Sequence, residues 1–151
     1  MTKTKKTAKK TPTLTPAPTP EKETVKAWHF AVIGDDGHPV LRDGTHAANV
    51  GEWMEFTGKV KICESGFHAS RRVIDALSYA PYGILMACEV ECQDIVEEHE
   101  DKFVCRRRRI TRMVEATEPL RRFARKAALS VAHLWPDMPA ETRRFLETGI
   151  L

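Results

Sequence analysis

The chain has 151 residues, 42% of them apolar and 30% charged, with 24 Lys and Arg against 21 Asp and Glu. That is about one domain's worth of core-forming sequence, and its charge is too balanced for total charge to argue a nucleic-acid binder. It holds no run of the ~18 apolar residues that a membrane span needs and no apolar secretory leader, so a cytoplasmic protein with no membrane partner is expected.

Residues 1–26 carry seven Lys, two acids and four Pro. Such a segment buries little apolar surface and cannot offset its ordering entropy, so a disordered Lys/Thr/Pro-rich tail is predicted there. Without the tail, the chain holds 17 basic and 19 acidic residues. Order is expected from Ala27, where Trp28, Phe30 and Val32 alternate with His29 and Ala31 as on a strand. Gly34-Asp35-Asp36-Gly37 and Asp43-Gly44 read as turns, with a short edge strand at His38–Leu41 between them because Pro39 cannot donate to an inner ladder. Val50, Trp53, Met54 and Phe56 are apolar anchors in a stretch broken by Gly51 and Gly58. Val60 and Ile62 alternate with lysines and predict a half-buried strand leading into Cys63.

The stretch from Cys63 to Pro81, C-E-S-G-F-H-A-S-R-R-V-I-D-A-L-S-Y-A-P, carries the most chemistry per residue. A short strand at Phe67–Ala69 should run into a helix N-capped by Ser70, with Val73, Ile74, Leu77 and Ala80 on its buried face. Ile84 to Val96 is the strongest strand signal. Its even positions, from Ile84 to Cys92, form one apolar face, while the face of Leu85 and Ala87 turns polar at Glu89 and Glu91. A charged turn near His99 returns the chain through Phe103 to Val114. An odd register sum would set the even-numbered arginines of the Arg106–Arg109 run opposite Glu89 and Glu91. Thr117 should cap a helix with Leu120, Phe123, Ala127, Val131 and Leu134 as its apolar stripe, followed by a last helix, Ala140 to Thr148, closed by Gly149. The expected fold is therefore one α+β domain over 27–116, with a mixed or antiparallel sheet of four to six strands. The helical segment 117–151 should pack on it.

Several residues are candidates for chemistry. A ligand-binding nook is expected at the strand-to-helix junction, from Phe67, His68, Ser70, Arg71 and Arg72. Imidazole titrates near neutrality, and helix N-termini attract anions. A plainer structural reading gives His68 a backbone partner and pairs Asp75 with Arg71 or Arg72. Arg106, Arg107, Arg108 and Arg109 form the candidate nucleic-acid patch. No aromatic residue interleaves with them, although stacking residues are expected for single-strand binding. The cysteines at 63, 88, 92 and 105 show no C-x-x-C and read as reduced core thiols. Cys88 and Cys92 on a regular strand would sit about 13 Å apart, too far to share one zinc, so no metal is expected.

The motif from Gly66 to Pro81, with the W-H-F stretch at Trp28–Phe30 and D-K-F-V-C-R-R-R from Asp101, resembles an uncharacterised family of bacteriophage and prophage proteins. Its pattern reads roughly G-L-H-A-S-x-R-x-x-D-A-L-x-Y-A-P-G and covers about residues 27–115. Tyr82 here intervenes before Gly83, and the sequence ends at Leu151 without the Ala-rich helical region of longer members. The resemblance implies a phage-encoded accessory protein that binds a host or phage macromolecule in the host cytoplasm. G-F-H-A-S followed by S-x-Y and a core strand is also similar to the segment of poly-ADP-ribose polymerases that lines the nicotinamide pocket. That likeness implies NAD as a cofactor, with Phe67 or His68, Ser78 and Tyr79 facing it and a catalytic glutamate from Glu97 or Glu98. It lacks an upstream H-G-[ST] motif, for which Gly44-Thr45-His46 is a scrambled counterpart. His68 and Tyr79 complete the set of catalytic candidates.

Overall fold

The longest β pairing in the chain organises the rest. In a computed structural model, which describes residues 22–150, β5 (Leu85–Glu98) and β6 (Phe103–Glu115) form a long antiparallel hairpin. Its turn is closed by a hydrogen bond from the His99 N–H to the Lys102 carbonyl at 2.7 Å. β1 (Val25–Ile33) pairs with β5, and the edge strand β2 (Pro39–Val40) pairs with β1. On the other side, β3 (Trp53–Glu55) and β4 (Phe67–Ala69) share β6, with β4 beside its start. All six strands pair antiparallel. Just after β4, the Ser70 backbone exchanges two hydrogen bonds with Trp28, at 2.8 and 3.0 Å. That exchange brings β4 back to β1 and curls the sheet around its inner face. Three helices complete the α+β domain: α1 (Val73–Leu77), α2 (Thr117–Ser130) and α3 (Ala140–Thr148).

The inner face buries Ala27, Ala31, Cys88, Val90, Cys92 and Ile110. The opposite face of the same strands packs Phe30, Leu85 and Ala87 against Ala76 of α1 and the start of α2. This two-faced burial explains why even and odd positions of β5 are both apolar at first, and why only the odd face turns polar beyond Ala87.

The hairpin departs from the predicted register because of two bulges. Thr111 on β6 and Val96 on β5 have no direct partner, so between them the pairing shifts by one residue. Arg109 then faces Glu91 and Arg107 faces Gln93, in place of the even-numbered arginines. Between Cys92 and Ile95 the inward parity also changes, at Asp94 with its positive φ of 55°. Cys92 and Arg108 point inward on one side of that point, Ile95 and Cys105 on the other. Regular period-two alternation cannot report such a switch.

Other local expectations are corrected. Val60 and Ile62 are buried under Phe56 and Val104 but form no strand, because the chain at Lys61–Ser65 closes on itself as a tight turn with Cys63 at a φ of 63°. Ser70 is not a helix cap. It is used in the bridge to Trp28, the N-cap position falls on Arg72, and no side chain caps it. Helix α1 buries Ala76, while Val73 and Ile74 stay exposed. The Thr117 hydroxyl accepts the Leu85 N–H at 2.9 Å instead of capping α2. The stripe of α2 reaches the domain only through Leu120. Phe123 and Leu134 are 59% and 73% exposed. α3 ends as expected on Gly149 in the left-handed region, with its N–H on the Phe145 carbonyl at 2.7 Å. Of the expected tail, residues 1–21 lie outside the described residues. Its last residues do not belong to it, since β1 starts at Val25 and Lys22 reaches Asp94 at 2.6 Å.

Candidate functional site

The curled sheet leaves a cavity of about 1110 Å³ between its inner face and the loops that cross it. β1 contributes His29, β4 and its flanks contribute Phe67, His68 and Ser70, and β6 contributes Arg108. Leu41, Met54 and Phe56 form an apolar wall, and Arg42 and Lys102 stand at its edges.

Arg108 dominates the site. It is 2% exposed, and it makes no ion pair with a carboxylate of the described residues. One guanidinium nitrogen donates to the His68 carbonyl at 2.7 Å, and the group lies 5.0 Å over the Phe67 ring. Its Nε has no partner among the described residues. Burial pushes its pKa down, and Cys92, Cys105, Cys88 and the Asp43 carboxylate only partly oppose this. Burial also lifts the Cys88 thiol to about 11, so that neighbour is neutral. A buried cation left without a matching anion is costly, and a protein that retains one usually has a use for it.

His29 shares that environment. Burial first, and the Arg108 charge second, hold its pKa well below 6.5, so the ring is neutral at physiological pH. Its Nε2 is buried and has no partner among the described residues. Ser70 is 2% exposed, and its pairing with Trp28 sets its side chain on the α1 side of the sheet, away from His29 and Arg108. Two polar groups with capacity to spare, Arg108 and His29, thus share the inner face of one cavity.

The acids around the cavity are already engaged. Asp43 accepts the Thr45 and His46 N–H groups, both at 2.9 Å, and pairs with the His46 ring. Glu64 pairs with Lys61, and Glu55 with Arg107 at 3.6 Å. Arg42 has no acid partner among the described residues. Its charge and those of Lys102 and Arg108 all bear on His68. The lining is therefore net cationic where it is uncommitted.

The residues expected from the sequence divide cleanly. Phe67, His68 and Ser70 line the cavity. His68 has a structural duty: its Nε2 accepts the Cys63 N–H at 2.8 Å and ties down the 61–65 turn. Burial lowers its pKa, partly offset by the Gly66 carbonyl. Arg71 and Arg72 point away from the cavity, Arg71 to Glu98 at 2.5 and 2.9 Å and Arg72 to Asp75 at 3.5 Å. Tyr79 lines the cavity, but its hydroxyl bonds Asp101 and its ring carries Lys102 at 4.3 Å. Glu98 is held by Arg71 and Glu97 by His99, and neither lines the cavity.

The arginine run does not form a free patch. Arg106 donates to the Phe56 and Gly58 carbonyls, both at 3.0 Å. Arg107 donates to Gln93 at 2.7 Å, Arg109 pairs with Glu91, and the two guanidiniums lie 5.0 and 4.8 Å from the Trp53 ring. Cys63 is exposed, so one of the four thiols is not a core thiol. The sequence reading missed His29, Arg42 and Lys102. His29 had a signal: a polar residue between two small apolar ones, Ala27 and Ala31, on the inner face of a strand.

Residues 42–122, more than half of the chain, match the family described as a domain of unknown function, DUF7666, and the chain belongs to that family. The matched region contains β4, β6 and Arg108 but stops short of β1 and His29. No curated protein and no solved structure matches the chain.

Proposed function

We propose that the domain binds a small organic anion in this cavity, with the Arg108 guanidinium as its anchor. The observation that carries the reading is Arg108 itself, 2% exposed and without an ion-paired carboxylate among the described residues. Large, mostly apolar cavities with a few uncommitted polar groups are where small ligands bind. The NAD reading falls within this class as a ligand. As an enzyme it loses support, because Glu97 and Glu98 are engaged elsewhere. The nucleic-acid reading loses its residues to Trp53, Glu91, Gln93 and backbone carbonyls.

Thermal shift of the full chain against millimolar phosphate, benzoate and NAD tests this, with Arg108→Met as control. At least one anion should raise Tm in the wild type and none in the variant. A folded Arg108→Met protein with an unchanged shift refutes the reading.

A second reading, a phage-type accessory protein with a host or phage protein partner, is supported by one surface. Phe123 on α2 and Val131, Leu134 and Trp135 just beyond its end are each at least half exposed. A partner held there should be recovered by the wild type and lost from a Phe123→Lys/Leu134→Lys variant whose thermal stability is unchanged. Equal recovery by both removes this surface from consideration.

A further inference from the structure

Arg108 carries a hydrogen-bonding edge that no described residue uses. A guanidinium grips a planar carboxylate through a pair of parallel N–H bonds, and the edge formed by Nε and Nη2 is one such fork. Arg71 shows this fork filled: its Nε and Nη2 donate to the two Glu98 oxygens at 2.5 and 2.9 Å. In Arg108, Nη1 donates to the His68 carbonyl at 2.7 Å, while neither Nε nor Nη2 has a hydrogen-bond partner among the described residues. The guanidinium lies 5.0 Å over the Phe67 ring, which closes that side to a ligand.

Charge sets the valence of the anion. Arg108 is the one buried cation among the described residues. Burial and the Arg108 charge hold His29 neutral, and burial lifts the Cys88 thiol to about 11, so it is neutral too. The Asp43 carboxylate already opposes the Arg108 charge in part. A single further negative charge balances the site. A dianion such as a phosphate monoester would bury a second charge with no buried cation to meet it. Arg42 does not fill that role, because it is exposed at the rim and solvated there.

The wall sets the body of the ligand. Leu41, Met54 and Phe67 line the cavity and belong to the apolar cluster of the inner face, the side on which Arg108 lies. Phe56 extends that wall and meets Phe67 edge to face, with centroids 6.5 Å apart. The nearby polar pair on this side, Asp43 and His46, is satisfied internally. A carbon skeleton beside the guanidinium therefore meets apolar surface.

We propose that the ligand is a monocarboxylate on an apolar body, its two oxygens on the Nε–Nη2 edge of Arg108 and its carbon skeleton against Leu41, Met54 and Phe67. This rests on the anion-site reading and adds to it the carboxylate and the apolar body. Aryl acids and alkanoic acids share that chemistry, and titration separates them.

Isothermal titration of the full chain uses benzoate, octanoate, acetate, benzamide and inorganic phosphate. The tighter of benzoate and octanoate identifies the body. It should bind at least about ten-fold more tightly than acetate, which lacks the body, benzamide, which lacks the charge, and phosphate, which lacks both the body and the planar oxygen pair. Arg108→Lys keeps a cation but loses the fork, and should weaken that acid at least about ten-fold. Arg42→Ala should change it less than about two-fold. A loss of about ten-fold or more in Arg42→Ala would put the anion at the rim and overturn the buried seat. If phosphate equals or exceeds both acids, the carboxylate assignment falls while the anion site stands. If acetate equals them, the apolar body falls. A folded Arg108→Lys protein that binds the acid as the wild type does removes the fork. If benzamide equals benzoate, or if no probe binds, the anion site falls with everything built on it.

Discussion

Arginines 107, 108 and 109 are consecutive on one strand and meet opposite fates. On the outer face, Arg107 and Arg109 flank Trp53 and are balanced by Gln93, Glu55 and Glu91. Arg108, on the inner face, is buried near three thiols and makes no ion pair with a carboxylate of the described residues, though the Asp43 charge bears on it. The outer pair is a stabilising clamp of partly exposed charges. The inner cation lowers the stability of the empty protein. Residue type therefore says little about role here; the partner set decides it.

The largest test of this contrast is Arg108→Met. Replacing a buried, uncompensated charge by an apolar side chain of similar length should stabilise the ligand-free protein by about 1–4 kcal/mol, seen as a higher denaturant midpoint, and should abolish anion binding. A loss of stability would mean that Arg108 is structural, like its neighbours. Trp53→Ala should do the reverse. Losing two cation–π contacts and their packing should destabilise by about 1–2 kcal/mol while leaving anion affinity within about two-fold, because Trp53 lies on the outer face and does not line the cavity.

Acid provides a graded test. His29 and His68 both have folded pKa values below 6.5, chiefly through burial. Their neutral forms contribute stability that is fully present above the unfolded pKa of about 6.5 and is lost as pH falls from there toward the folded values. Denaturation midpoints should therefore drop between about pH 6.5 and pH 5, and less steeply in Arg108→Met, where one of the lowering charges on both rings is gone. A flat profile would show that neither ring is held neutral by the fold. The smallest effect is expected at Glu91→Gln, about 0.5–1 kcal/mol and shrinking in high salt, because its Arg109 partner is partly exposed and keeps Trp53.

Much of the architecture was legible from local rules. The β1, β5 and β6 strands follow from alternation, the edge position of β2 from Pro39, the turns at Gly34–Gly37 and Asp43–Gly44 from residues that tolerate positive φ, and the end of α3 from Gly149. Errors cluster where long-range pairing overrides local preference. Ser70 has the side chain of a cap but the backbone of a strand, because Trp28 takes both of its hydrogen bonds. Val60 and Ile62 alternate like a strand yet find no partner to pair with. His68 lines the cavity, but its acceptor nitrogen is taken by the Cys63 N–H.

The sequence by itself determined most of the strands and helices, β3 and the Val60–Ile62 stretch excepted, because periodicity, turn residues and proline act over a few neighbours. It also located the Phe67–Ser70 part of the cavity, as a polar junction in an apolar stretch. Only the tertiary structure decided which arginine turns inward. That choice depends on two unpaired residues, Thr111 and Val96, on the left-handed backbone at Asp94, and on a sheet that curls until Ser70 meets Trp28. A one-residue slip in strand pairing exchanges the faces of every side chain beyond it, and no local pattern in R-R-R-R records on which side of the sheet a given guanidinium will fall.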